Sequence, residues 1–253
     1  MRHRTANTCA FAKDLLSLIV CLCLLPACGD APRSAGDDAR FVPEGLSLVP
    51  ASEGGNGAFS LLAYTLRAGP NNSEFYAALR NDGPTPACSP GLSLEFFDGE
   101  QQSLSRAVGG LLVRQFYRLI DGSGTLAACA GPGDVAMVAV LDLPSDLLDE
   151  VSHGVYWLTY WTLEIVPTDG IAIAEVLPVT RGMGVAYTGA LLNGLDVAVS
   201  PSVAVFPVNE VGRPLAVAVG RGSDQVPPGS RWEFETTTVR ERGAYYDAYP
   251  GGE

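Results

Sequence analysis

The sequence predicts an all-β chain folded as two tandem sandwiches, and three observations predict it. Apolar and polar residues alternate over many short runs, Gly/Pro-rich turns separate those runs, and one block of the chain occurs twice. The chain has 253 residues, 47% of them hydrophobic and 17% charged. That is apolar material enough for buried cores, and too little charge for a disordered polyelectrolyte. The formal net charge is −12. An acidic surface repels phosphate backbones and anionic lipid headgroups, so no nucleic-acid partner is expected.

Phe59 to Leu66 and Phe75 to Leu79 read as strands on either side of RAGPNNSE, which is turn chemistry. NDGPTPACSPG then breaks the chain before LSLEFFD, where Leu92, Leu94 and Phe96 alternate with Ser93 and Glu95. A period of two marks a strand with one buried face. VAMVAVLDL (135–143) and VYWLTYWTLEIV (155–166) are longer apolar runs, consistent with interior strands. Further strands are expected at IAIAEV, VAYTGALL, SVAVFPV, LAVAV and WEFETTTV. Only DLPSDLLDEV (142–151) reads as helical, with Asp or Ser as its cap.

The repeat pairs Pro90–Gly109 with Pro201–Gly220 without a gap. Pro90/Pro201, Leu104/Leu215, Ala107/Ala218, Val108/Val219 and Gly109/Gly220 are identical, and Leu92/Val203, Leu94/Val205 and Phe97/Val208 keep apolar character. Upstream, FYAALRNDG (75–83) parallels YTGALLNG (187–194) with a one-residue slip. Downstream, Gly131-Pro132-Gly133 parallels Pro227-Pro228-Gly229. Two domains follow, 58–178 and 179–253, the first carrying the insertion LLVRQFYRLIDGSGTLAAC.

Each copy has a strand ending in Asn (Asn81, Asn193), a strand ending in an aromatic or apolar residue and Asp or Asn, and a Pro-Gly turn before a late strand. The second motif is Leu94-Glu95-Phe96-Phe97-Asp98 in the first copy and Val205-Phe206-Pro207-Val208-Asn209 in the second. The turns are Pro132-Gly133 and Pro228-Gly229. This layout resembles the FxLYD-type domain of bacterial envelope proteins. The resemblance implies an immunoglobulin-like β-sandwich for each copy, and bears on fold more than on function. Pro207 departs from the pattern, which predicts an edge or a bulge there.

The N-terminus carries an address. Arg2, Arg4 and Lys13 precede the apolar run Leu15 to Leu25, interrupted only by Asp14. Eleven helical residues span roughly 17 Å against about 30 Å of bilayer hydrocarbon, which fits a signal-peptide core better than a membrane span. Leu25-Pro26-Ala27-Cys28 follows and resembles the lipobox of bacterial lipoproteins, with Pro26 where a small residue is usual. The resemblance implies removal of residues 1–27 and lipidation of Cys28, with acyl chains (a diacylglycerol and an amino-terminal acyl group) holding the membrane. Gly29 directly after the Cys, with Asp30 one place later, points by analogy to the outer membrane. Processing would remove three basic residues and one acidic residue from the 16 and 28 of the chain, leaving a net charge of −14. Residues 28–57, rich in Gly, Pro, Ser, Ala and Asp, read as a tether, in which the islands FV and LSLV are candidates for an added strand.

Of the six cysteines, Cys9, Cys21 and Cys23 belong to the leader and Cys28 to the lipid, so Cys88 and Cys129 are left as a pair. In an exported protein such a pair favours a disulfide; two free thiols or half of a metal site are the alternatives. His153 is the single histidine beyond the leader, so a zinc site is short of ligands, and no metal or cofactor is expected.

Among candidate catalytic groups, His153 beside Ser152 lacks a GxSxG elbow and reads as a histidine at a strand entrance. Asp142, Asp146, Asp149 and Glu150 lack the Asp-x-Asp-x-Asp-Gly calcium pattern and read as a solvated helical turn. Tyr156, Trp157, Tyr160 and Trp161 form the densest aromatic group. On a strand the two Trp share one face and the two Tyr the other. That pattern suits either two-sided packing in a central strand or an exposed platform for a glycan or a partner protein. The tail tyrosines Tyr245, Tyr246 and Tyr249 are expected at the same place in the second copy. Three functions fit: a non-enzymatic, lipid-anchored envelope protein that binds or braces another component, a hydrolase working through carboxylates, or a lectin-like module.

Overall fold

The computed structural model describes residues 46–51, 58–69, 71–121, 123, 125–168 and 170–252. In chain order the strands are β1 (Ser47–Pro50), β2 (Phe59–Ala68), β3 (Ser73–Asn81), β4 (Ala87–Phe97), β5 (Ser103–Gly110), β6 (Gln115–Leu119), β7 (Leu126–Ala130) and β8 (Val135–Leu143). A four-residue helix, α1 (Leu147–Glu150), follows. The second half contains β9 (His153–Trp161), β10 (Ile165–Pro167), β11 (Ile171–Arg181), β12 (Gly184–Asn193), β13 (Pro201–Val208), β14 (Ala218–Arg221), β15 (Arg231–Glu235) and β16 (Tyr245–Gly252). The protein is all-β, as expected.

The strands assemble into two sandwiches of matching topology. In the first, the sheet β2-β3-β8 faces a sheet ordered β1-β9-β4-β7-β6-β10, with β5 also paired to β4. Phe75, Leu79, Val138 and Val140 pack there against Leu92, Leu94, Phe96 and Leu158. In the second, β11-β12-β15 faces β14-β13-β16. Its core brings Val185, Tyr187 and Phe234 onto Val203, Val205 and Ala218. Thus β2, β3, β4, β5, β8 and β9 correspond to β11, β12, β13, β14, β15 and β16. The gapless repeat is reproduced in register: Leu92 faces Gly109 and Leu94 faces Ala107, just as Val203 faces Gly220 and Val205 faces Ala218.

The shared polar residues hold turns. Asn81 is buried at the end of β3; its amide donates to the carbonyls of Thr85 and Ala130, both at 2.9 Å, and its Oδ1 accepts from Gly83 N–H. Asn193 repeats this on Val197, Val226 and Leu195. Each Asn carbonyl also accepts from the glycine of the Pro-Gly turn, Gly133 or Gly229, both at positive φ. At the β4–β5 hairpin Asp98 Oδ1 accepts from Glu100 and Gln102 N–H, and Asn209 Oδ1 accepts from Val211 and Arg213 N–H. The copies differ at one left-handed position of this turn, where Gln101 (φ 68°) stands opposite Gly212 (φ 82°).

Several boundaries move. The division expected at 178/179 falls inside β11, so the second set of strands begins at Ile171. Residues 46–51 of the expected tether belong to the body, because β1 pairs in parallel with β9. The run 155–166 is split, β9 ending at Trp161 and β10 pairing with β6. Pro207 lies in the central strand β13; β14 covers only Ser202–Val205, so the missing N–H falls where that ladder has lapsed. Residues 1–27, Cys28 and the FV island lie outside the described residues.

The two sandwiches join sheet to sheet. The outer face of β3 and β8 (Tyr76, Ala78, Met137) packs on the outer face of β13 and β16 (Ala204, Phe206, Val208, Tyr249). Thr65 Oγ donates to Pro214 O across this contact at 2.6 Å. At its rim the buried Arg67 pairs with Glu74 and with Glu241 of the second copy, and lies 5.3 Å from the Tyr76 ring centre. Burial pushes the Tyr76 hydroxyl far above its usual pKa, against the pull of Arg67; that hydroxyl donates to Glu74 at 2.7 Å.

Two outcomes test these assignments. Gln101→Gly is expected to raise stability by about 0.5–1 kcal/mol, and Gly212→Gln to lower it comparably, because only glycine adopts positive φ freely. Urea midpoints unchanged in both would remove the turn argument. Arg67→Met leaves Glu74 and Glu241 without their shared cation and should cost about 3–5 kcal/mol, read from the same denaturation curves.

Candidate binding surface

The aromatic strand β9 runs between β1 and β4, so alternate side chains face the core and the outside. Tyr156 and Tyr160 point inward. Tyr156 is buried opposite Leu94, and Tyr160 stacks edge-on against Phe59 at 5.8 Å. Burial raises the Tyr156 hydroxyl pKa, opposed by a hydrogen bond with the Leu61 backbone. Trp157 and Trp161 point outward. Arg106 of β5 lies 4.9 Å over the Trp157 ring, while Trp161, at the strand end, is 68% exposed. The four expected residues therefore do not form one platform: two are core and two are surface. Strand alternation was the signal that separates them.

In the second copy the strand position of Trp157 is taken by Tyr249, since Trp157 pairs with Ser93 and Tyr249 with Ala204. Tyr249 is buried in the contact between sandwiches, with Arg114 at 4.9 Å. Burial raises the pKa of the Tyr249 hydroxyl, Arg114 pulling the other way. Tyr246 packs inside the second sandwich and donates to Val176 O at 2.7 Å, and Tyr245 is exposed. One repeated position thus has two fates, depending on what covers it.

The insertion acts as a brace. Cys88 of β4 and Cys129 of β7 face each other in register and are joined by a disulfide, both fully buried with Tyr117 and Ala127. A bridge closing 41 residues contributes about 4 kcal/mol on the chain-entropy account. So tied, the insertion lays Phe116 and Leu126 against Ile171, Leu191 and Val226 of the second copy. Arg118 pairs with Asp196 there, which holds the Asp196 carboxyl below its usual pKa.

Beside the brace a groove of about 610 Å³ opens between β6 and the edge strands β11 and β16. Phe116, Ile171 and Tyr246 line it, and among the described residues its one lining carboxylate, Asp247, is paired with Arg114. No sequence motif marks this groove; it exists because strands distant in the chain converge.

The candidate catalytic groups are engaged elsewhere. His153 opens β9 with its ring stacked on Phe97 at 5.1 Å. Ser152 Oγ lies within hydrogen-bond reach of the carbonyls of Asp98 (2.6 Å) and Phe97 (3.2 Å), and of His153 Nδ1 (3.0 Å). Asp142, Asp146, Asp149 and Glu150 are exposed at and before α1, where Asp146 caps without a side-chain hydrogen bond. Among the described residues no group of three or more His, Cys, Asp or Glu side chains is placed to hold a metal ion, and no helix is long and apolar enough to cross a membrane.

No family model matches the chain, and no curated protein does. Among solved structures, red sea bream transglutaminase superposes with a TM-score of 0.21 at 8% identity, over 76% of this chain and 31% of that one. A likeness that slight carries no functional argument.

The division of β9 into core and surface has a direct check. Tyr160→Ala should lower stability by about 2–4 kcal/mol, whereas Trp161→Ala should stay within about 0.5 kcal/mol of the parent. Equal losses in thermal unfolding would contradict the assignment of faces.

Proposed function

We propose that this is a lipid-anchored protein of the bacterial cell envelope, held through Cys28, with a non-enzymatic binding or bracing role. One observation carries the non-enzymatic part. The polar residues that recur in both copies, Asn81 and Asp98 with Asn193 and Asn209, are spent on turn hydrogen bonds, while the outward aromatic residues Trp157 and Trp161 have no such structural duty. The anchor rests on the leader and the lipobox-like Leu25-Pro26-Ala27-Cys28. Two acyl chains or more hold a protein stably at a bilayer, where one holds it marginally.

The partner class is another envelope component. A lectin-like role is the second reading, favoured by the 68% exposure of Trp161, since an indole face suits sugar stacking. A carboxylate hydrolase is supported less, because the carboxylate that the described residues bring to the groove at β6, β11 and β16, Asp247, is ion-paired. Glycosidic cleavage usually needs two facing carboxyl groups.

Cys28→Ser is expected to release the protein from membrane pellets into the soluble fraction. Continued sedimentation of that variant with membranes would count against the anchor.

A further inference from the structure

We propose that the three loops at one end of the second sandwich, 181–184, 209–213 and 236–244, form a face that docks on an anionic bilayer surface. This deepens the envelope-anchor reading, on which it rests for a membrane being within reach.

The loops are one physical unit. Val185 and Val239 exchange backbone hydrogen bonds at 2.8 and 2.9 Å, tying the 236–244 segment to the β11–β12 hairpin. Ala244 N–H donates to Val208 O at 2.8 Å, and the Tyr245 hydroxyl lies beside Gly212, tying it to the β13–β14 hairpin. At the tips stand Met183, 81% exposed, and Val211, 78% exposed; Tyr245 is exposed next to them. Large apolar side chains at hairpin tips gain nothing from water, and here three of them stand at the same end of one sandwich.

Charge decides the occupant. The chain is strongly acidic, yet this end carries Arg213, Arg240 and Arg242, with Arg240 and Arg242 exposed. The neighbouring acids are mostly committed: Glu241 pairs with Arg67, and Glu235 pairs with Arg181. Glu210 is the remaining carboxylate on these loops. Apolar tips rimmed by arginine suit a layer with anionic headgroups over an apolar interior. Position agrees. Tyr64 OH donates to Leu46 O at 2.9 Å, and a cavity of about 420 Å³ is lined by Leu48 and Tyr64 together with Val211 and Arg213. Leu46 and Leu48, at the start of the described residues, therefore lie beside these loops.

Hydrogen exchange on the full chain, mixed with phosphatidylcholine vesicles with and without phosphatidylglycerol, separates the two readings. Presence in the pellet of phosphatidylcholine vesicles, which offer no anionic headgroup, reads the anchor. Loop protection reads the docking: exchange in 181–184, 209–213 and 236–244 should slow by at least about threefold on phosphatidylglycerol vesicles, with no change in 194–198 at the opposite end. Arg240→Glu with Arg242→Glu should abolish that protection without moving the thermal midpoint. A pelleted chain with unprotected loops overturns the docking and leaves the anchor standing. Protected loops in Cys28→Ser on phosphatidylglycerol vesicles support the docking without the anchor. Protection that is the same without vesicles, or absence from both pellets, overturns the docking.

Discussion

The sheet β2-β3-β8 is buried on both faces, and most of the architecture follows from that constraint. One face closes the first sandwich through Phe75, Leu79 and Val138; the other carries the second sandwich through Tyr76, Ala78 and Met137. A sheet that is apolar on both sides cannot stand at a surface without an aggregation-prone patch. The two copies must therefore stack, and the molecule becomes four sheets in series. The polar groups that enter this contact bring partners with them: Thr65 finds Pro214 O, and Arg67 finds Glu74 and Glu241.

The same register shows why the stack stops at two. Met137 and Ala139 face Ala78 and Tyr76, whereas the corresponding positions of β15, Glu233 and Glu235, face Ala190 and Thr188. Those glutamates pair with Arg231 and Arg181. At the other end, Phe206 and Val217 of the central contact correspond to Glu95 and Arg106, which face each other on the open side of β4 and β5. Charge at the positions that make the central contact turns both outer faces into caps, much as terminal repeats cap a solenoid. On the cap of the first sandwich Trp157 lies half-buried beneath Arg106, and Trp161 is exposed at the end of β9.

Strand placement was legible because half-buried strands alternate. The run 135–143 coincides with β8, and the alternation around Leu92, Leu94 and Phe96 lies within β4. The repeat was legible in more detail, since its offset reproduces the pairing of Leu92 with Gly109 and of Val203 with Gly220. Other boundaries were not legible. Ala87–Ser89 reads as a proline-broken loop, yet it joins β4 because β7 pairs with Ala87 and Cys88 from the far side of the insertion. The first β11 residues read as the end of one domain and prove to be the start of the next, because Ile171–Ile173 pair with Leu191–Asn193.

By itself the sequence determined the all-β class, the duplication, the Cys88/Cys129 pair and the two faces of β9, because each depends on local periodicity or on counting residues. Only the tertiary structure decided which of those faces are covered. Trp157 and Tyr249 hold the same strand position, and one is outward while the other is buried. The same holds for the groove at β6, β11 and β16 and for the loop cluster around Met183 and Val211, whose members are brought together from distant parts of the chain. Burial depends on what a face meets, and a face meets its neighbour only after both copies have folded.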